Sequence, residues 1–190
     1  YGNNSINVNH NGVINLLAAP TLNTETYGIY LDNNGVVTSN LSVLNLGTAS
    51  RIIIGDNNVA STDRSIGISL INSTLNSNGR IEVGTNSLGV YSKDSVLTGT
   101  GGIRKLGEDS VGYYFENVAN STLQMGSVEI NGSGSAVYKL GDYIISGINA
   151  FNTGNIEVTS TNGGTFIVGM IGKNRSLILN NEIMVRETLS

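Results

Sequence analysis

The sequence predicts an all-β chain: a right-handed parallel β-helix with three short strands per coil and about seven coils. Three observations predict it. The 190 residues include 25 Gly, one Pro (Pro20), no Cys, no Trp and only 13 % charged residues, with abundant Asn, Ser and Thr. Short apolar blocks recur in a fixed order, separated by Asn/Gly/Ser/Asp segments. The intervals between equivalent blocks lie in the low-to-middle twenties, the length one coil of a three-stranded solenoid requires.

Apolar residues make up 39 % of the chain and are mostly Ile, Val and Leu, so it can bury a core and need not be disordered. Gly and Asn mark turns; branched aliphatics mark strands. The formal charge of −4 is spread along the chain, and without a basic cluster a nucleic-acid or membrane-surface role is not expected. Absence of Cys excludes disulfides and thiol chemistry. No apolar run approaches the roughly 20 residues of a membrane helix. Tyr1 does not open a signal segment. Residues 1–190 therefore read as one β-helix segment, an internal excerpt of a longer protein.

The first recurring block is an apolar–polar–apolar triplet. It occurs as Ile14-Asn15-Leu16, Ile52-Ile53-Ile54, Ile81-Glu82-Val83, Val128-Glu129-Ile130, Ile156-Glu157-Val158 and Ile183-Met184-Val185, with Arg104-Lys105-Leu106 fitting imperfectly. The second begins with a small residue: Gly28-Ile29-Tyr30, Gly67-Ile68-Ser69, Gly89-Val90-Tyr91, Gly112-Tyr113-Tyr114 and Ala136-Val137-Tyr138. Its last four members are offset by 22, 23 and 24 residues. A third reads Ser73-Thr74-Leu75, Ser95-Val96-Leu97 and Ser121-Thr122-Leu123. All are too short for helices and alternate with period two, as strands do.

Equivalent strands of successive coils should pair in parallel, roughly 4.8 Å apart, giving a rod on the order of 30 Å long. The hand follows from the general rule for parallel crossovers. The interval from Gly28 to Gly67 is 39 residues, so segments within 45–65 are expected to project as insertions, and 142–155 likewise.

Alternation turns Glu82 outward and predicts a column of Ile53, Glu82, Lys105, Glu129 and Glu157, with Lys105 able to bridge Glu82 and Glu129. It reads as a solvated face. In the second block Val90 points inward and Tyr91 outward, aligning Tyr30, Ser69, Tyr91, Tyr114 and Tyr138. An exposed Tyr ladder suits glycan or protein contact; stacked rings also stabilise neighbouring strands. The candidate partner-binding residues are Tyr30, Tyr91, Tyr114 and Tyr138.

No catalytic residue, cofactor or metal site is expected. Asp32-Asn33-Asn34-Gly35 and Asp56-Asn57-Asn58 resemble calcium loops only superficially; Val43 stands where an EF-hand needs Glu, and turns are the expectation. His10, the one histidine, is expected in a surface turn. Gly132-Ser133-Gly134-Ser135 misses the Gly-x-Ser-x-Gly spacing of a nucleophile turn. The scattered Asp32, Asp56, Asp63, Asp94, Asp109 and Asp142 do not converge as a polysaccharide-cleaving site would require.

The Asn/Gly-rich unit from Asn78-Gly79-Arg80-Ile81-Glu82-Val83 to Gly89-Val90-Tyr91, and again from Gly107 to Tyr114, resembles the passenger domains of large monomeric type V autotransporters, especially fusobacterial-type adhesins. The resemblance covers most of the chain but matches no binding motif. It implies a monomeric extracellular rod on the bacterial surface, anchored to the outer membrane by a translocator barrel outside this chain. The implied role is adhesion to a host or bacterial surface protein or glycan, as contact face or spacer. The alternatives are a β-helix polysaccharide lyase or hydrolase, a trimeric autotransporter head and a phage tail fibre.

Overall fold

The computed structural model describes residues 6–17, 25–33, 41–57, 64–116, 121–123 and 128–140, together with strand segments 151–152, 156–160, 165–169 and 183–187. Every regular element among them is a strand, and none is a helix able to cross a membrane. The first coil holds β1 (Asn7–His10), β2 (Val13–Leu16) and β3 (Thr26–Asp32). The second holds β4 (Ser42–Leu46), β5 (Arg51–Ile54) and β6 (Ser65–Ile71). The third holds β7 (Ser73–Ser77), β8 (Arg80–Val83) and β9 (Leu88–Lys93), and the fourth β10 (Val96–Gly99), β11 (Gly102–Leu106) and β12 (Val111–Glu116). Then come β13 (Ser121–Leu123), β14 (Val128–Ile130) and β15 (Ala136–Leu140), followed by β16 (Phe151–Asn152), β17 (Ile156–Ser160) and β18 (Thr165–Gly169). A last strand, β19 (Ile183–Glu187), extends the second sheet.

Strands three apart in sequence pair in parallel, and β17 pairs with β19, building sheets of six, seven and six strands: β1-β4-β7-β10-β13-β16, β2-β5-β8-β11-β14-β17-β19 and β3-β6-β9-β12-β15-β18. We call them the first, second and third sheets. The chain is thus a parallel β-helix of three strands per coil. Alternation sends Leu44, Leu46, Ile52, Ile54, Leu70, Leu75, Ile81 and Val83 inward, where they form one continuous core at 0–2 % exposure. Each such side chain contributes about 1.5–3 kcal/mol.

The corners explain the Asn, Asp and Ser content. Between the second and third sheets the chain turns through Gly84-Thr85-Asn86-Ser87 and Gly107-Glu108-Asp109-Ser110, with Asn86 and Asp109 both at φ 50°. Asn and Asp tolerate this left-handed conformation better than other side-chain-bearing residues. The serine that follows donates back into its own turn, Ser87 to the Thr85 carbonyl at 3.1 Å and Ser110 to the Gly107 carbonyl at 2.6 Å. Asn72-Ser73 and Asp94-Ser95 repeat the device between the third and first sheets, with φ 48° at Asn72 and 50° at Asp94. Asn86 N–H donates to the Glu108 carbonyl of the next coil at 2.8 Å, so the backbone ladder continues through the corner.

On the first sheet a side-chain ladder crosses four coils. Thr98 donates to the Asn76 amide oxygen, Asn76 to Asn45 at 2.8 Å, and Asn45 to Asn7 at 2.8 Å and Asn9 at 2.9 Å. Stacked amides of this kind polarise one another in one direction.

Several expectations change. Within 45–65, Asn45 and Leu46 belong to β4, Gly47–Ser50 is a tight corner and Arg51–Ile54 is β5, so these residues are coil rather than projection. The extra length of that coil lies in the β3–β4 and β5–β6 connections; residues 34–40 and 58–63, and with them Asp63, are outside the described residues. Of 142–155, Phe151 and Asn152 form β16, pairing with Ser121 and Thr122; Asp142 and the rest also lie outside. The imperfect triplet at Arg104 is a β-bulge: Ile103 pairs with Ile81 and Lys105 with Glu82, leaving Arg104 as the extra residue. Ser121 falls two residues further along than expected, since Thr98 pairs with Thr122. His10 sits in β1 opposite Leu46, not in a turn.

Gly89 marks where the third-sheet strands turn over. Leu88 lines the outer face while Val90 is in the core, although side chains two apart share a face in a regular strand. A Cβ on Gly89 would lie 2.6 Å from the Gly112 carbonyl oxygen and 2.6 Å from Ile103 Cδ1. Gly89→Ala is therefore expected to destabilise the chain by about 1–3 kcal/mol through overpacking. Thermal unfolding followed by circular dichroism measures it, and an unchanged midpoint would contradict the packing account.

Candidate functional site

The outer face of the third sheet gathers the aromatic residues. Strand register stacks Tyr30, Ser69, Tyr91, Tyr114 and Lys139 in one column. A neighbouring column runs Tyr27, Ile66, Leu88, Val111 and Ala136. A third aligns Asp32, Ile71, Lys93 and Glu116, with Lys93 and Glu116 paired at 3.6 Å.

Ile66, Leu88 and Val111 form an apolar strip separate from the main core, and Tyr91 and Tyr114 pack against it. The two rings stack with centroids 5.8 Å apart and planes 23° apart. Burial pushes the Tyr91 hydroxyl well above the usual phenol range, and the negative charge of Glu116 adds to the effect. Tyr27 and Tyr30 meet edge to face at 5.1 Å and are the more open pair, 37 % and 48 % exposed. Tyr27 donates to Glu25, which is the main cause of its hydroxyl being pushed up to about 12. Tyr30 donates to Asp32 at 3.0 Å.

Together these side chains line a groove of about 490 Å³. Tyr27, Tyr30, Tyr91 and Tyr114 supply its aromatic surface and Ser69, only 3 % exposed, its floor. Glu25, Glu116, Arg64 and Lys139 also line it. The arrangement suits binding: broad apolar faces flanked by charges of both signs. Among the described residues, no three His, Cys, Asp or Glu side chains are grouped to hold a metal ion.

Of the four tyrosines expected on this face, Tyr30, Tyr91 and Tyr114 are there. Tyr138 is not. The corner Asn131–Ser135 is one residue longer than Gly107–Ser110 beneath it, so Ala136 pairs with Val111 rather than Gly112, and Tyr138 with Tyr113. A one-residue slip exchanges the faces. Tyr138 is consequently buried at 0 % exposure, stacked on Tyr113 at 5.5 Å, and Lys139 takes the outward slot with its ammonium 5.7 Å from the Tyr114 ring centroid. Sequence reading also missed Tyr27. Its signal was available, since Tyr27 precedes Gly28 as Ile66, Leu88 and Val111 precede their glycines.

The charged column on the second sheet is partly as expected. Ile53, Glu82, Lys105 and Glu129 align, but Glu129 pairs with Thr159, which moves Glu157 two residues out of line. Glu82 is held by Arg51, through two hydrogen bonds of 3.0 and 2.8 Å, rather than bridged by Lys105. The hydrogen bond from Arg51 is the largest of the effects that lower the Glu82 pKa.

Fold and face thus define a class: a parallel β-helix with an aromatic groove along one sheet. No protein-family model, curated protein or solved structure matches the chain.

A tyrosine that keeps its proton when folded but loses it when unfolded contributes stability below the unfolded pKa of about 10, and that contribution is lost as pH rises through the folded value. For Tyr27 the window runs from 10.0 to about 12; for Tyr91 it opens at the same point and extends higher. In an ultraviolet titration of the folded chain, Tyr91→Phe should leave the tyrosinate absorbance reached at about pH 11 unchanged. Loss of one residue's absorbance there would show that Tyr91 ionises as an ordinary phenol.

Proposed function

We propose that the chain is a rigid extracellular segment of a bacterial surface adhesin, the passenger of a monomeric type V autotransporter, acting in adhesion to a host or bacterial surface partner. The outer face of the third sheet is the contact face. One observation carries this reading: half-buried and exposed tyrosines line a groove of about 490 Å³ on the outer face of the third sheet. Tyrosine presents a large amphipathic area and loses little rotamer freedom on binding. The autotransporter assignment rests on the Asn/Gly-rich repeat and on a fold suited to reach, and it implies a translocator barrel outside this sequence. Binding without turnover is the proposed activity.

The test is binding of the fluorescently labelled chain to host epithelial cells and to partner bacteria. The double variant Tyr91→Ser/Tyr114→Ser should bind at least about tenfold more weakly, since aromatic anchors dominate contact energies. Circular dichroism establishes that the variant retains its fold. Full binding by the folded variant would make this segment a spacer.

A further inference from the structure

We infer that the gap in the tyrosine column at Ser69 is a subsite for one pyranose ring of a neutral glycan, walled by Tyr30 and Tyr91. This inference rests on the third-sheet face being a contact surface. Tyr30, Ser69 and Tyr91 occupy the same position in three successive coils. At roughly 4.8 Å per coil the two walls are rooted about 9.6 Å apart. A ring inserted midway lies about 4.8 Å from each wall, within the roughly 4.5–7 Å at which ring systems stack.

The walls differ in a useful way. Tyr91 is fixed by its stack on Tyr114 and by the apolar strip beneath. Tyr30, 48 % exposed, is held by the edge of the Tyr27 ring and by its hydrogen bond to Asp32, two solvent-side contacts that must give for it to turn aside. That movement matters because Ser69 is only 3 % exposed, so the gap is narrow at its floor. One firm wall and one adjustable wall admit a ring thicker than a tyrosine.

Polar chemistry selects the ring. The groove carries two carboxylates, Glu25 and Glu116, and two cations, Arg64 and Lys139. Their signs balance, so the groove favours neither a polyanion nor a polycation. Carboxylates accept several hydrogen bonds each, and the Ser69 hydroxyl both donates and accepts. A ligand with an apolar ring face and a rim of hydroxyls satisfies both sets of groups, which is the chemistry of an uncharged pyranose.

Ser69→Tyr tests this directly, because it completes the ladder and fills the gap while adding aromatic area to the face. The probes are maltohexaose, cellohexaose and chitohexaose, with hexagalacturonate as the charged comparison, titrated against the whole chain by calorimetry. At least one neutral hexasaccharide should bind, and Ser69→Tyr should weaken it at least about tenfold. Tyr30→Ser, which removes one wall at an exposed site and leaves the floor intact, should also weaken it and guards against misfolding of the first variant. Absence of neutral-sugar binding, binding of the uronate alone, or undiminished binding by a folded Ser69→Tyr chain each overturns the subsite. The broader contact reading has a separate readout. If Ser69→Tyr keeps full cell binding while Tyr91→Ser/Tyr114→Ser loses it, the face stands and the glycan subsite falls. Cell binding that survives periodate oxidation of the sugars on the target cells likewise overturns the subsite and makes the partner a protein.

Discussion

Parallel pairing of each strand with its equivalent one coil later places like residues directly above one another, roughly 4.8 Å apart. The constraint is severe because it applies to every position, including the corners. Side chains that occupy a column must tolerate their own kind as neighbours. Aliphatic residues meet this condition in the core. Asparagine meets it on the first sheet, where each amide donates to the coil below and accepts from the coil above. Buried serines meet it at the corners, where the hydroxyl turns back to a carbonyl of its own turn; Ser95 also accepts from the Ser73 N–H one coil away at 3.1 Å, and Ser87 donates to the Gly55 carbonyl at 3.3 Å. Few charged side chains suit such stacking, since like charges one coil apart repel.

The same constraint makes small changes in chain length consequential. Coil four contains the bulge at Arg104, adding one residue to the second sheet where Tyr113 enters the core. The Tyr113 hydroxyl then accepts from the Ile103 backbone N–H at 3.4 Å, beside the bulge. Tyr113, Phe115 and Tyr138 stack together at 5.5–5.8 Å between centroids, so the third sheet adds aromatic rings to the core at this level, beside Ile103, Leu106, Val128 and Ile130. One added residue in the corner Asn131–Ser135 brings Tyr138 into that stack. Without the slip, Tyr138 would extend the outer ladder; with it, Val137 and Tyr138 are both buried in the core.

How much of this could be read beforehand depends on the kind of signal. Three strands per coil were legible because hydrophobic alternation and glycine spacing repeat in order through most coils. Register was legible only where corner lengths are constant, as from Gly67 to Gly112. It failed at Tyr138, where small-residue alignment favoured Ala136 over Val137 in the glycine slot, and at Glu157 and Ser121, where a slip of two keeps the faces and leaves no trace in alternation. The corner motif itself was visible as Gly-x-Asn/Asp-Ser but carries meaning only once Asn86 and Asp109 are seen at positive φ. Tyr27 escaped notice because the repeat was read from the glycine onward, one residue too late.

Whether the tyrosine face serves the fold or a partner is a question of exposure, and the two roles fall on different residues. Tyr91 and Tyr114 cover Ile66, Leu88 and Val111, so most of their apolar area is already used against the rod. Removing them would expose the strip as well as the contact surface. Tyr27 and Tyr30, at 37 % and 48 % exposure, hold more of their ring area in water. A partner that displaced that water would gain the larger share of its apolar contact from Tyr27 and Tyr30, while Tyr91 and Tyr114 supplied a surface whose shape is set in advance. Ser69 lies at the boundary between these two pairs, where a rigid half of the column meets an adjustable half.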